Sequence, residues 1–408
     1  MGSADKINLS KYSYLLPDQR IAKYPLPERD QSRLLIYNMV KKIYDDIFIN
    51  LYKYLPSGSL LVYNNTMVIY ARLHFSKNSG AEIEIFCLKP VFPADYELIF
   101  RSTTSCRWEC LIGNLKRWKS EVLTMEIKTD RETVILKAKK AEKLPEEGIW
   151  IIEFSWDNPE VTFACIIESA GEIPIPPYLK RKAEESDKIR YQTVFSRMKG
   201  SVAAPTAGLH FTGRVFESLK ANHVKTAEIT LHVGAGTFRP FKTTEIAEHR
   251  MHSEEIRVSS KVLAVLKSNA DNIIATGTTT VRALESIYWL GVKLANGYNP
   301  ERENVIVGQW EIYSLPDNLH PHKSIQHVIE YLDSLQSHLL IFSTSIMIIP
   351  GYHFKMIKGM ITNFHQPQST LLLLIAAFVG DDWKRIYNFA LDNGFRFLSY
   401  GDASLLLR

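Results

Sequence analysis

Two early runs, Arg33-Leu-Leu-Ile-Tyr and Ser59-Leu-Leu-Val-Tyr, are short, apolar and rich in branched or aromatic residues, and they predict β-strands. The second runs into Asn64-Asn65-Thr66, a turn by composition. From about His74 to Trp150 the texture becomes alternating. Ala81-Glu-Ile-Glu-Ile-Phe-Cys, Tyr96-Glu-Leu-Ile-Phe, Arg107-Trp-Glu-Cys-Leu-Ile, Val122-Leu-Thr-Met-Glu-Ile and Thr133-Val-Ile-Leu follow one another, broken by turn residues. Alternation at period two predicts a small antiparallel β-barrel or sandwich, read here as an inserted domain. The later half carries helical spacing. Val281–Leu290 is expected to stop at Gly291, Ser324–Leu340 to form an amphipathic helix, Leu371–Phe378 to start at Ser369 and stop near Gly380, and Asp381–Asn393 to end at Gly394. The expectation is a mixed α/β (α+β) fold. A larger domain would be built from residues 1–73 and 151–408, with a smaller antiparallel barrel, residues 74–150, inserted in it.

A chain of 408 residues is long for a single core and fits two domains. Apolar residues at 46% and charged residues at 23% exclude a disordered or fibrous chain. The net charge of +5 permits an anionic partner without requiring one. Cys87, Cys106, Cys110 and Cys165 lack the density of a disulfide scaffold, and no second pair follows Cys106 and Cys110 at zinc-ribbon spacing. The N-terminus lacks a signal-peptide apolar core, and the longest apolar run, Leu371–Val379, is half a membrane span. These features predict a soluble, cytoplasmic protein.

Candidate chemistry concentrates between Ser201 and Glu254, where His210, His232, His249 and His252 stand among hydroxyls, glycines and a carboxylate. In Ala204-Pro-Thr-Ala-Gly-Leu-His-Phe, small residues permit close backbone approach to a ligand and the histidine can exchange protons near neutrality. A tight turn with a core histidine would give the same pattern. Gly234-Ala-Gly-Thr-Phe-Arg fails as a dinucleotide fingerprint, because Arg239 stands where a third glycine belongs. A pocket wall and a plain β-bend both remain. His249-Arg-Met-His-Ser-Glu lacks the spacing of a helical zinc motif, which ranks metal ligation below acid–base or substrate hydrogen-bonding roles and structural ones. A second cluster, His320, His322, His327 and His338, reads as solvated surface. Asn272-Ile-Ile-Ala-Thr-Gly-Thr-Thr-Thr runs from a strand into a helix N-terminus, which favours a carboxylate or phosphate, although capping alone also explains the threonines. Residues 178–200 hold seven Lys/Arg against three acids, with Tyr178, Tyr191 and Phe195 interleaved. That suits nucleic acid, or equally a solvated face over core aromatics.

Together the blocks resemble the S-adenosylmethionine:tRNA ribosyltransferase-isomerase family of queuosine biosynthesis. The resemblance runs through Tyr14-Leu-Leu-Pro, Ile21-Ala-Lys-Tyr-Pro-Leu, Arg29-Asp, Ser32-Arg-Leu-Leu and Leu61-Val-Tyr-Asn-Asn-Thr. It continues in Gly171-Glu-Ile-Pro-Ile-Pro-Pro-Tyr, Arg190-Tyr-Gln-Thr-Val-Phe, the central histidine blocks and Ala275-Thr-Gly-Thr-Thr-Thr-Val-Arg. Pro350-Gly-Tyr-His-Phe, Thr362-Asn-Phe-His and Ser399-Tyr-Gly-Asp-Ala complete it. It implies transfer and isomerisation of the ribosyl part of S-adenosylmethionine onto a 7-aminomethyl-7-deazaguanine base at the tRNA wobble position. Epoxyqueuosine-tRNA, adenine and methionine would result.

A sulfonium acidifies the neighbouring C5′ protons, so the reaction calls for poised acid–base groups rather than a metal. The resemblance therefore assigns His210, His232, His252 and Glu254 to acid–base and orienting roles. Thr206, Gly208, Leu209, Phe211, Thr278 and Thr279 would line the S-adenosylmethionine site, and Lys180, Arg181, Arg190 and Tyr191 would contact tRNA. The implied partner is a tRNA with a G-U-N anticodon carrying the aminomethyl-deazaguanine base, met by a monomer that needs no metal.

Some positions depart from the family pattern. Gln366 and Gln368 replace its usual leucine and lysine, Gly80-Ala-Glu replaces Gly-Gly-Lys, and Gly113-Asn-Leu-Lys-Arg replaces a Pro-Gly-Lys element. Residues 287–349 are longer than its usual connection. A paralogue with another acceptor, or an RNA-binding protein without catalysis, are the alternative readings.

Overall fold

Both early apolar runs become strands of one sheet, Arg33–Tyr37 and Leu60–Asn64. The computed structural model describes residues 7–77, 79–129, 132–145, 148–234, 246, 249–301 and 305–408. Leu60–Asn64 is buried throughout and lies parallel to Lys225–His232 on one side and Ile273–Thr276 on the other. Cover on both faces explains why its sequence is continuously apolar and not alternating. The sheet has ten strands in the order Ile306–Val307, Leu339–Thr344, Glu254–Ser259, Lys225–His232, Leu60–Asn64, Ile273–Thr276, Ile357–Asn363, Ala403–Leu407, Arg33–Tyr37 and Ile43–Ile47. Parallel and antiparallel pairs mix, and helices cover the sheet, so the architecture is mixed α/β. The segment 287–349 contributes two of those strands at one sheet edge.

The alternating region forms a separate antiparallel sheet of six strands. Their order is Arg72–Ser76, Glu82–Phe92, Ser105–Ile112, Ile149–Trp156, Thr133–Lys143 and Leu123–Lys128. The first and last of these approach each other, so the sheet nearly closes. Inward positions of Thr133–Lys143 alternate with exposed ones, and Trp108, Phe154, Phe75 and Phe163 fill a core of their own. Cys87, Cys106 and Cys110 are free thiols buried in that core, and Cys165 is free and exposed. Among the described residues no group of three His, Cys, Asp or Glu is placed to hold a metal ion. No helix there is long and apolar enough to cross a membrane.

Three local expectations fail for identifiable reasons. Tyr96–Phe100 is not a strand but part of the helix Tyr96–Arg101. The Asp95 carboxylate accepts from the backbone N–H groups of Glu97 and Leu98, and Tyr96, Ile99 and Phe100 bury one helical face. The helix predicted over Ser324–Leu340 spans Pro321–Ser334, and Leu339 begins the next strand. Gln336, at a φ of 49°, turns the chain between them.

Gly291 does not stop its helix, which runs from Thr278 to Ala295. A Cβ at Gly291 would stand 2.1 Å from the Ser324 carbonyl oxygen, so this glycine marks a close crossing with the helix Pro321–Ser334. Gly291→Ala is therefore expected to lower stability by about 1–3 kcal/mol, read as a reduced urea midpoint. An unchanged midpoint would contradict the close crossing. The helices Thr370–Val379 and Asp382–Asp392 match expectation, with Ser369 capping the first and Gly380 and Gly394 at positive φ beyond their ends.

Candidate active site

Lys225–His232, Leu60–Asn64, Ile273–Thr276 and Ile357–Asn363 are mutually parallel neighbours, so their carboxyl ends share one edge of the sheet. The antiparallel neighbours start at that edge, Glu254 opposite Thr344 and Ala403 opposite Asn363. Residues far apart in sequence thus converge on the crevice where open α/β sheets bind ligands. A cavity occupies it, walled by residues 203–207, Val233, Gly277–Thr279, Thr362–Gln366 and Ser399, with Tyr178 and Tyr191 at one side.

The expected cofactor residues divide on this geometry. Thr206, Thr278 and Thr279 line the cavity. Gly277, at a φ of 88°, turns the strand into the helix, and the first-turn N–H groups there have no intrahelical acceptor. Gly208, Leu209 and Phe211 do not line it. Gly208 packs on Phe195 and Thr193, where a Cβ would meet ring and methyl carbons at 2.6 and 2.8 Å. Phe211 is wholly buried, with Phe48 edge-on at 5.0 Å and Phe195 at 6.0 Å. Leu209 faces a second, smaller cavity. Gly208 and Leu209 lie within the turn Thr206–His210 and Phe211 directly follows it, outside the wall of this cavity.

His210 is nearly sealed. Asn363 Nδ2 donates to the Leu398 carbonyl at 3.0 Å and lies 3.2 Å from His210 Nε2, so Nε2 accepts. Nδ1 then carries the proton toward Ser32 Oγ, at 2.8 Å. Burial above all pushes the imidazole down to about 4, so it is neutral at physiological pH. Asn363 Oδ1, on a residue of the cavity wall, has no hydrogen-bond partner among the described residues. A ligand donor would relieve that deficit.

His232 lies beside the cavity rather than in its wall, stacked on Tyr96 at 4.1 Å and with Nδ1 3.3 Å from Thr66 Oγ1. Burial, then the Arg257 charge, push it down to about 3. Gly200 makes room for it, since a Cβ there would stand 2.6 Å from Nδ1.

The remaining pair forms a chain. His252 Nε2 lies 3.2 Å from Glu254 Oε1, and Arg282 donates to Glu254 Oε2 at 2.5 Å. Burial acts to raise the Glu254 pKa, but Arg282 and His252 outweigh it and hold the carboxylate down to about 2. His252 stays one-third exposed and packs on Gly234, next to Val233 of the cavity wall. Residues 235–239 of the glycine block lie outside the described residues. His249, half-buried, offers its carbonyl to Gln309. Of the second histidine cluster, His320, His322 and His338 are exposed and His327 is half-buried.

The basic stretch 178–200 is largely engaged internally. Arg181 forks onto Asp187 at 2.6 and 2.8 Å, and Lys180 pairs with Asp18 at 2.6 Å while remaining exposed. Arg190 donates to the carbonyls of Pro27 and Leu26. Tyr191 is wholly buried against Tyr400, at one side of the crevice. Asn363, His365 and Ser399 are cavity residues to which the sequence reading gave no site role, although their blocks carried the family resemblance, and Arg282 is the hidden partner of Glu254. Of the departures, Gln366 lines the cavity and Gln368 is exposed.

The sheet and crevice define a mixed α/β protein with a cavity at strand carboxyl ends, bordered by a histidine–carboxylate–arginine chain. A profile described as queuosine biosynthesis protein matches residues 9–406. An S-adenosylmethionine:tRNA ribosyltransferase-isomerase of Halothermothrix orenii is 37% identical over 407 residues, covering 98% of this chain and all of the relative. One of Pelobacter propionicus is 35% identical over 404 residues, covering 98% and 99%. A solved S-adenosylmethionine tRNA ribosyltransferase of Thermotoga maritima aligns with 97% of this chain and all of its own at 26% identity and a TM-score of 0.45. The chain belongs to the queuosine biosynthesis protein family.

Proposed function

We propose that this protein is an S-adenosylmethionine-dependent tRNA ribosyltransferase-isomerase. It moves the ribosyl moiety of S-adenosylmethionine onto the 7-aminomethyl-7-deazaguanine base at the tRNA wobble position, yielding epoxyqueuosine-tRNA, adenine and methionine. The observation that carries the reading is the crevice at the strand carboxyl ends, with Thr206, Thr278 and Thr279 in its wall, in a chain matched to the family over residues 9–406. In this reading S-adenosylmethionine lies in the crevice, with those threonines and Asn363 as its polar contacts. His252 and Glu254 handle protons, while neutral His210 and His232 orient groups from either side. The acceptor is a tRNA with a G-U-N anticodon, reached by Lys180 and Arg190, and the enzyme works as a cytoplasmic monomer. Residues 74–150 act as an inserted barrel domain beside the crevice.

The test is adenine release from S-adenosylmethionine, with and without tRNA carrying the aminomethyl base. Release that depends on the modified tRNA, with the nucleoside gaining the epoxycyclopentanediol mass, is the expected result. Release with a different acceptor would make the protein a paralogue. Tight tRNA binding without release would leave an RNA-binding protein.

A further inference from the structure

A second cavity lies beside the crevice and shares Ser399 with it. Buried Ser32 and His210 form its floor, and half-buried Arg29, Arg190 and Arg396 stand around it. We propose that this cavity binds an oxyanion, supplied in the working enzyme by a backbone phosphodiester of the RNA substrate. The source of the anion rests on the tRNA reading above; the oxyanion site itself does not.

Arg29 and Arg190 bring charge to this cavity without counter-charge. Arg396 pairs with Asp402 at 2.8 Å, and that carboxylate also accepts from the backbone N–H of Arg33 and of Arg396 itself. Arg29 donates to the carbonyls of Gln192 and Ile189, and Arg190 to those of Leu26 and Pro27, so both are held by neutral acceptors. Nearby carboxylates are committed elsewhere. Asp30 serves Thr212 and Arg214, Glu28 serves Arg214, and Asp187 serves Arg181 and the Tyr400 hydroxyl. Arg190 Nε is buried with no partner among the described residues.

Burial, and then the Arg190 charge, push the Arg29 guanidinium below the usual arginine value. Two cations that strain against each other over a polar floor are stabilised by an anion between them. Guanidinium forks match a phosphate in particular. The shared Ser399 places that phosphate next to the crevice, where an RNA strand delivering one base for reaction must bring its backbone.

The experiment begins with thermal unfolding of the intact protein in inorganic phosphate against chloride at matched ionic strength. A phosphate-dependent rise in Tm is expected, with Arg190→Gln losing it and Arg190→Lys keeping part of it. For modified tRNA, Arg190→Gln should weaken binding about tenfold and reduce the log–log salt slope by about one, leaving KM for S-adenosylmethionine unchanged. No phosphate response in the wild type, or an equal response in Arg190→Gln, overturns the site. A raised S-adenosylmethionine KM with unchanged tRNA affinity overturns the phosphodiester assignment in favour of that substrate's carboxylate. A phosphate response in a protein that releases no adenine would keep the site and remove the functional reading.

Discussion

His252→Ala is expected to lower single-turnover adenine release by about 10²–10⁴-fold while S-adenosylmethionine binding is retained. Of the three candidate histidines, His252 alone combines a carboxylate partner, partial exposure and contact with a residue adjoining the crevice wall. Glu254 is fixed in turn by Arg282, so the imidazole is aimed by a carboxylate that cannot swing away. His210 differs in kind. Both its ring nitrogens are engaged, to Ser32 and Asn363, and burial keeps it neutral, which suits it to hold Asn363 of the crevice wall rather than to shuttle protons. Isothermal titration separates lost binding from lost chemistry. Near-normal turnover by both His210→Ala and His252→Ala, with S-adenosylmethionine still bound, would remove the acid–base assignment altogether.

What the sequence made legible was local and periodic. The fully apolar run at Leu60–Asn64 and the alternation of Thr133–Lys143 carried their strands, and Gly380 and Gly394 carried helix ends. Tyr96–Phe100 misled because a five-residue stretch of aromatic and branched residues suits either element, and a cap outside it, Asp95, decided the matter. Gly291 misled because a glycine at a helix crossing and one at a helix end look alike in one dimension.

The site was half legible for a deeper reason. Thr206, Thr278 and Thr279 stand in conspicuous turns, but Asn363 and Ser399 become cavity residues only when strand order places Ile357–Asn363 beside Ile273–Thr276 and Ala403–Leu407. The same holds for the second cavity. Arg29, Arg190 and Arg396 are separated by most of the chain and meet around Ser32 and His210 only in the folded state. Tyr191, which stands among basic residues in the sequence, is buried beside the crevice in the fold, a placement its sequence neighbours do not disclose.

Glu254→Gln is expected to cost about 3–5 kcal/mol of stability at neutral pH, measured as the difference in urea unfolding free energy. Glutamine keeps the shape and an acceptor oxygen, but it leaves the Arg282 guanidinium buried beside a neutral group. The pH dependence identifies the cause. The Glu254 pKa is held down to about 2 from an ordinary 4.5, so its contribution is complete above about 4.5 and is lost as pH falls through 2. His210, His232 and His365 are also depressed, to about 4, 3 and 3. Their burial as neutral rings destabilises the fold progressively below 6.5, where the unfolded chain takes up protons that the folded one refuses. Those losses are common to wild type and variant. Both proteins therefore weaken from about pH 6.5 downward, the gap between them stays constant to about 4.5, and it narrows below that as Glu254 of the unfolded wild type takes up a proton that the folded protein refuses until about pH 2. A gap that stayed constant down to pH 3 would mean that Glu254 does not owe its place to the Arg282 charge, and the ordered chain from Arg282 to His252 would lose its physical basis.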